Sequence, residues 1–240
     1  MLCARSVLAV AAQGLVAAIL ALQGAASPWQ EAEPWFPVYA TLIDAGCLAL
    51  LLWFVRREGI SLWALIGFNR SRLGRDILLA FALIPSCLLF IFGGVALSSA
   101  LIFGNVSGPQ FSEPLPLVAS LYALLVWPLI WGFTEQMTYN GYLAPRLQVL
   151  SGSTVLAVTL VALFWSLQHA FMPLSFDAAF MLHRFVSSIP NSLFMIVVYL
   201  RLRRLLRTSA RNQDWRAKAY DDWSEDLEYL EREWQPKVRT

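Results

Sequence analysis

Residues 127–146 read Trp-Pro-Leu-Ile-Trp-Gly-Phe-Thr-Glu-Gln-Met-Thr-Tyr-Asn-Gly-Tyr-Leu-Ala-Pro-Arg. The run is apolar enough to form a membrane helix, yet it carries a carboxylate, Glu135, with no basic partner in view. A carboxylate at membrane depth is costly unless it faces a cavity or a partner, so such a residue marks a candidate functional site. Most functional hypotheses for this chain therefore depend on Glu135.

The composition around this stretch is that of a membrane protein. Hydrophobic residues make up 58% of the 240 positions and charged residues 14%, whereas about 25% of a soluble domain is charged. Six apolar runs are long enough to cross about 30 Å of hydrocarbon. They cover roughly 6–26, 36–55, 77–103, 115–148, 153–172 and 175–202. The sequence thus predicts an all-α, polytopic transmembrane helix bundle, and a formal charge of +2 gives no argument for a nucleic-acid partner.

The basic residues between the apolar runs predict the orientation. The connection after the second run is rich in arginine, whereas the first connection carries Glu31 and Glu33 and no basic residue. Because arginine-rich loops stay in the cytoplasm, we expect the first connection outside and both termini inside. The arginines expected on the cytoplasmic side are Arg56, Arg57, Arg70, Arg72, Arg75, Arg146, Arg201, Arg203, Arg204 and Arg207.

The first apolar run has two interpretations. Arg5, the apolar residues after it and the small residues Gly24-Ala25-Ala26-Ser27 fit a cleaved signal peptide, although the run is longer than a usual signal core. We interpret it as the first span. On this interpretation residues 1–207 form the transmembrane domain, and residues 208–240 form a charged cytoplasmic tail.

Within the tail, residues 219–235 favour an amphipathic helix. Trp223, Leu227, Leu230 and Trp234 recur at steps of four, three and four, which is the spacing of one helical face. Two interpretations stay open: a solvated helix, or a helix that docks against the bundle or a protein partner. The acidic polar face disfavours insertion into anionic lipid.

The apolar runs bring one histidine to the depth of Glu135. From the turn near residue 150, Glu135 lies about 15 residues back and His169 about 18 residues on, so their depths differ by about 5 Å at 1.5 Å per residue. The two side chains are therefore expected to meet across a helical hairpin. The alternative is a histidine bonded to a neighbouring carbonyl and a glutamate held neutral by burial.

Two motifs resemble a known family. Residues 135–147, Glu-Gln-Met-Thr-Tyr-Asn-Gly-Tyr-Leu-Ala-Pro-Arg-Leu, are similar to the first motif of the CAAX-protease and bacteriocin-processing family of intramembrane proteases, in which Glu-Glu, three residues and Arg-Gly are typical. Trp165-Ser-Leu-Gln-His169 is similar to its second motif. The likeness covers roughly residues 60 to 205. It implies a hydrolase that cleaves prenylated C-terminal peptides or bacterial leader peptides, with Glu135 and His169 activating a water molecule.

The chain departs from the family pattern in two places. Gln136 and Asn140 replace the second glutamate and the arginine, and the two amides can bond each other on one helix face as a structural pair. The usual final motif, a histidine with an asparagine four residues later on a further helix, has no counterpart after residue 202. His183 and Asn191 are the candidates to replace it, since either could donate to a developing oxyanion. The alternatives are structural roles: an interfacial His183-Arg184 pair, and an Asn191 amide that satisfies a carbonyl freed by Pro190.

Three functions stay open on this sequence. An intramembrane endopeptidase would use Glu135 as the general base, His169 to orient water, and Asn191 or His183 at the oxyanion. Zinc is a possible cofactor with Glu135 and His169 as candidate ligands, but the sequence does not require it. A catalytically silent relative would act as a membrane scaffold, chaperone or immunity factor. A transporter is the least favoured, because no internal repeat is visible. The expected partners are the lipid bilayer and a membrane-associated peptide or protein.

Overall fold

The computed structural model describes residues 1–62, 65, 70, 73–109 and 115–207, with side chains as far as residue 202. The described residues are helical, apart from turns and one isolated bridge between Phe171 and Leu174. By its internal contacts the chain divides into the units Met1–Leu200 and Arg201–Thr240. The predicted tail helix at 219–235 lies outside the described residues.

Six helical stretches underlie the six predicted apolar runs. They are α1 (Ala4–Leu22), α2 (Phe36–Arg57), α3 (Leu73–Phe103), α4 (Leu117–Ser151), α5 (Thr154–Ala170) and α6 (Ala178–Arg207). A short helix, Pro28–Ala32, and a 3-10 turn, Glu33–Trp35, connect α1 to α2. The prediction of an all-helical chain is confirmed for the described residues.

Five of these helices, α1, α2, α3, α4 and α6, are long and apolar enough to cross a membrane by length and composition, consistent with an integral membrane protein. Helix α5 has 17 residues and therefore rises about 26 Å, slightly less than a hydrocarbon core of about 30 Å. Large apolar side chains cover the outer surface of α3, as expected for a lipid-facing helix. The most exposed of them are Leu78, Phe81, Leu89, Phe92 and Leu101.

Helix α4 changes its helical type along its length. It consists of Leu117–Leu125, Trp127–Glu135, a π-helical segment Gln136–Leu143 and Ala144–Ser151. The π-helical segment follows Glu135 directly, and such segments occur frequently at functional sites. The sequence pattern gave no sign of this change, because the apolar spacing alone cannot separate eight π-helical residues from an α-helix.

The predicted turn after α4 is confirmed. Gly152 takes a φ of 64°, a left-handed conformation that glycine adopts without strain, and it ends α4. The hydroxyl of Ser153 then accepts a hydrogen bond from the backbone N–H of Leu156 and caps the start of α5. This tight turn makes α4 and α5 an antiparallel hairpin, which positions the two motif helices against each other.

Polar side chains of α1 are buried against the rest of the bundle. Arg5 and Gln13 lie on the face of α1 that also buries Ala9, Ala12 and Ala17. Gln13 accepts from the backbone N–H of Leu174 at 2.8 Å and donates to the carbonyl of the same residue at 2.9 Å. The first helix therefore fixes the loop between α5 and α6, and it is an integral part of the described fold rather than an appended segment.

Small residues let α3 approach α6 closely. The buried residues of α3 are Gly94, Ser98 and Ser99, and the Ser98 hydroxyl donates to the carbonyl of His183 at 3.2 Å. A Cβ atom at Gly94 would lie 2.2 Å from the carbonyl oxygen of Ser187. Close backbone approach at small residues is the usual basis of helix association in membranes.

We predict that Gly94→Ala destabilises the protein by about 1–3 kcal/mol, because the new methyl group meets a backbone carbonyl that cannot rotate away. Gly93→Ala is the matched control, since no atom lies within 4 Å of a Cβ at that position; it carries the same gain in helix propensity, about 0.5–1 kcal/mol, without the clash and should be at least as stable as the parent. Thermal unfolding of both variants in the same detergent measures the difference. Equal stabilities would contradict the close contact between α3 and α6.

Candidate functional site

Glu135 ends the α-helical part of α4, and its carboxylate is surrounded by donors. The indole Nε1 of Trp165 donates to Oε2 at 3.0 Å, and the amide Nε2 of Gln168 donates to Oε1 at 2.5 Å. Both donors come from the facing side of α5, three residues apart. Only 3% of the surface of Glu135 is exposed, so protein groups rather than solvent satisfy this carboxylate.

A cation also lies beside Glu135, which corrects the expectation that it has no basic partner. Nη2 of Arg5 is 3.7 Å from Oε1 of Glu135, while Nη1 of Arg5 donates to Oδ1 of Asp44 at 2.6 Å. The relative exposure of Arg5 is 1% and that of Asp44 is 0%. One buried guanidinium therefore serves two buried carboxyl groups, one from α2 and one from α4.

Gln168 bonds both Glu135 and Arg5, and Tyr139 lies beside it. The side-chain carbonyl of Gln168 accepts from Nε of Arg5 at 2.6 Å and from the Tyr139 hydroxyl at 3.2 Å. The Tyr139 ring stacks on Trp165 with their centroids 5.1 Å apart. We call the set Arg5, Asp44, Glu135, Trp165 and Gln168 the buried polar cluster. It joins four helices, α1, α2, α4 and α5.

The His169 side chain makes no hydrogen bond to any residue of the buried polar cluster. Successive helical residues point about 100° apart, so the neighbour that reaches Glu135, Gln168, directs His169 to another side of α5. The His169 side chain is half-buried and makes no hydrogen bond to any residue that the structure describes. Its backbone carbonyl accepts instead from Nε of Arg184 at 3.3 Å. The depth argument brought the right helices together, but the bonded side chain is the residue before the histidine.

The amide pair in the first motif is in contact. Nδ2 of Asn140 donates to Oε1 of Gln136 at 2.6 Å, on the π-helical part of α4. Asn140 is fully buried, and its Oδ1 has no hydrogen-bond partner among the described residues. The two amides thus keep a contact along one helix without charge, as the residue types suggested.

The two candidates for the missing final motif lie apart from each other on α6. The ring of His183 faces α3, where Nδ1 pairs with the Ser98 hydroxyl at 3.1 Å and the ring contacts Phe103 edge-on. Asn191 is half-buried, and its Oδ1 is buried without a partner among the described residues. Within the described part of the chain, neither side chain forms a hydrogen bond or an ion pair with Glu135.

The residues around Glu135 do not fit a zinc site. In the described ranges, no group of three or more His, Cys, Asp and Glu side chains is arranged to hold a metal ion. The Arg5 guanidinium, 3.7 Å from the carboxylate, would also repel a divalent cation at that oxygen. We therefore derive no chemistry through a metal.

Sequence reasoning missed the most important members of the cluster. Asp44 is an acidic residue in the middle of the second apolar run, and the reason for treating Glu135 as a candidate site residue applies equally to it. Arg5 was interpreted only as the charge that precedes an apolar run, although it begins the buried face of α1. A carboxylate in one span and an arginine in another were the available signal that the charges pair.

Comparison with known proteins does not assign the chain. No protein-family model matches it, and no curated protein or solved structure matches it either. The resemblance to the CAAX-protease and bacteriocin-processing family therefore rests on the quoted motifs alone.

We predict that Arg5→Gln destabilises the protein by about 3–5 kcal/mol, because it leaves two carboxyl groups buried without their cation. Arg56→Gln is the control, since Arg56 is exposed in the last turn of α2 and should contribute less than about 0.5 kcal/mol. The comparison is made by thermal unfolding in detergent. A variant at position 5 that is as stable as the control would show that the cluster carries no stability.

Proposed function

We propose that the chain is a non-hydrolytic membrane scaffold, a silent relative of intramembrane proteases, in which Glu135 has become a structural residue. It would hold a membrane-associated peptide or protein without cleaving it. The supporting observation is that Glu135 is buried and paired: Trp165 and Gln168 each donate to one of its oxygens, and Nη2 of Arg5 lies 3.7 Å from Oε1, in a site with 3% exposure. A general base needs a free acceptor within reach of a water molecule.

The charge beside Glu135 supports the same conclusion. A base takes a proton most readily when no cation stabilises its ionised form, whereas Arg5 lies at 3.7 Å and also bonds Asp44. Polar contacts between membrane helices fix which helices pack and in which register. In this proposal the buried polar cluster does that for α1, α2, α4 and α5.

Six spans with both termini in the cytoplasm form part of this proposal. Helix α5 would add one span to the five long helices. It would reach the interface with the help of the capped turn at Gly152 and the loop after Ala170. The tail would then lie on the cytoplasmic side, where residues 219–235 are available to a protein partner.

An intramembrane endopeptidase is the second candidate, and one observation favours it. The oxygens Oδ1 of Asn140 and Oδ1 of Asn191 are buried without a hydrogen-bond partner among the described residues, and a role in catalysis is one explanation of such atoms. Asn191 also follows Ser187 by four residues, at the spacing that the family's histidine and asparagine would have. In this function Glu135 would have to leave Arg5 before it could activate water.

We test the proposal with a swap between Glu135 and Gln168. Glu135→Gln should cost about 1–3 kcal/mol, because an amide N–H₂ then faces the donor of Trp165 or Gln168. Gln168→Glu should also destabilise, since two carboxylates then face each other. The double variant Glu135→Gln with Gln168→Glu restores one donor facing one acceptor and should recover most of the lost stability, as measured by thermal unfolding.

The two functions give different results in this experiment. A structural Glu135 predicts rescue in the double variant, because the carboxylate stays beside Arg5 and the Tyr139 hydroxyl. A catalytic Glu135 predicts that Glu135→Gln keeps the stability of the parent and abolishes cleavage of a membrane-anchored test peptide. Cleavage by the parent that is lost in Glu135→Gln would overturn the proposal.

A further inference from the structure

Among the side chains that the structure describes, three arginines are at least partly buried between helices, and one of these has no carboxylate beside it. Arg5 bonds Asp44, and Arg146 bonds Glu58 while its guanidinium covers the Tyr142 ring at 3.7 Å. Arg184, six residues into α6, has no carboxylate within 4 Å in the part of the chain that the structure describes. Charged side chains inside a membrane bundle are normally paired or functional, so Arg184 is the exception to explain.

The fold holds the Arg184 guanidinium in one orientation. Nε donates to the carbonyl of His169 at 3.3 Å, and Nη2 donates to the carbonyl of Met172 at 2.5 Å. The His169 carbonyl, in the last turn of α5, also accepts a long bond of 3.4 Å from the backbone N–H of Met172, and the Met172 carbonyl lies just after the helix. A cation at a helix C-terminus also interacts favourably with the helix dipole. The contacts explain why the side chain points there, but they leave a full positive charge without an anion.

The bonds to the two carbonyls use only one edge of the guanidinium. Nη1 has no hydrogen bond to any described residue, so the edge formed by Nη1 and Nη2 stays available. Two parallel N–H groups on such an edge match two oxygens of a phosphate or carboxylate.

We infer that Arg184 binds a phosphate oxyanion, and that its source is the headgroup of an anionic phospholipid. The position of Arg184 selects this source. Six residues of α6 correspond to about 9 Å, so Arg184 lies within reach of the interface at which this helix begins. The indole N–H of Trp29 donates to the carbonyl of Leu174 just before α6, and tryptophan is one of the aromatic residues enriched at the level of the headgroups. The inference does not depend on whether Glu135 is structural or catalytic.

The experiment measures lipid retention by the intact protein. Full-length protein is purified in nanodiscs of phosphatidylcholine alone or with phosphatidylglycerol, and native mass spectrometry measures how many phosphatidylglycerol molecules stay bound. We expect retention of at least one phosphatidylglycerol and about tenfold weaker binding in Arg184→Gln, since a charge-assisted bidentate contact is lost. Arg184→Lys keeps the charge but lacks the forked pair of N–H groups, and its affinity for phosphatidylglycerol should lie between those of the parent and Arg184→Gln. Arg56→Gln, an exposed arginine on α2, should bind as the parent does.

A second arm separates a lipid from a soluble source. Inorganic phosphate is added to the protein in phosphatidylcholine nanodiscs, and the melting temperature is recorded. No effect of phosphate, together with retention of phosphatidylglycerol that depends on Arg184, supports the headgroup. Stabilisation by phosphate that disappears in both Arg184→Gln and Arg184→Lys supports the oxyanion site and overturns the lipid as its source.

Phosphatidylglycerol binding that is equal in the parent, Arg184→Gln and Arg184→Lys would overturn the site. An equal loss in Arg184→Gln and Arg56→Gln would overturn it as well, because it would show unspecific attraction to any arginine at a helix end. If Arg184→Gln does not fold, the comparison between the parent and Arg184→Lys decides, with unchanged binding in Arg184→Lys counting against the fork.

Discussion

The fold of this protein depends on a guanidinium in its interior. Arg5 lies between Asp44 and Glu135 and also donates to Gln168, so one side chain of α1 contacts α2, α4 and α5. A charge inside a membrane bundle is stable only when its partners are in place, which ties the position of each of these helices to the others. Apolar packing holds the bundle together, but it does not distinguish one register of two apolar helices from another. The polar cluster supplies that distinction.

The same contacts favour a structural role for the motif on α4. In the family that residues 135–147 resemble, the glutamate would activate water; here its two oxygens are occupied by Trp165 and Gln168. The pair of amides at Gln136 and Asn140, bonded to each other, agrees with a motif that has kept its contacts and reduced its charge. In the proposed function the bundle binds a membrane-associated partner and does not cleave it. Arg184, which is oriented by the end of α5 and has no carboxylate within 4 Å among the described residues, then offers the bundle a contact to anionic lipid.

Much of the fold could be predicted from the sequence, because it follows from one-dimensional patterns. Apolar runs of sufficient length gave the helices, and Gly152 with Ser153 gave the turn that pairs α4 with α5. The site could be predicted only in part. Depth along a helix depends on a residue count, so the pairing of Glu135 with the end of α5 was within reach. The direction in which a side chain points around its helix depends on packing between helices that are distant in sequence. The sequence therefore could not show that Gln168, rather than His169, bonds Glu135. Arg5 lies 130 residues before Glu135, and only the fold brings the two together.

The coupling free energy between Arg5 and Glu135 tests the central claim most directly. It is obtained from the unfolding free energies of the parent, Arg5→Gln, Glu135→Gln and the double variant, measured in one detergent at one pH. A structural ion pair predicts a favourable coupling of about 1–3 kcal/mol, with the double variant losing less stability than the sum of the single losses. Additive losses, with no coupling beyond about 0.5 kcal/mol, would contradict the account, because Glu135 would then be free of Arg5 and available for chemistry.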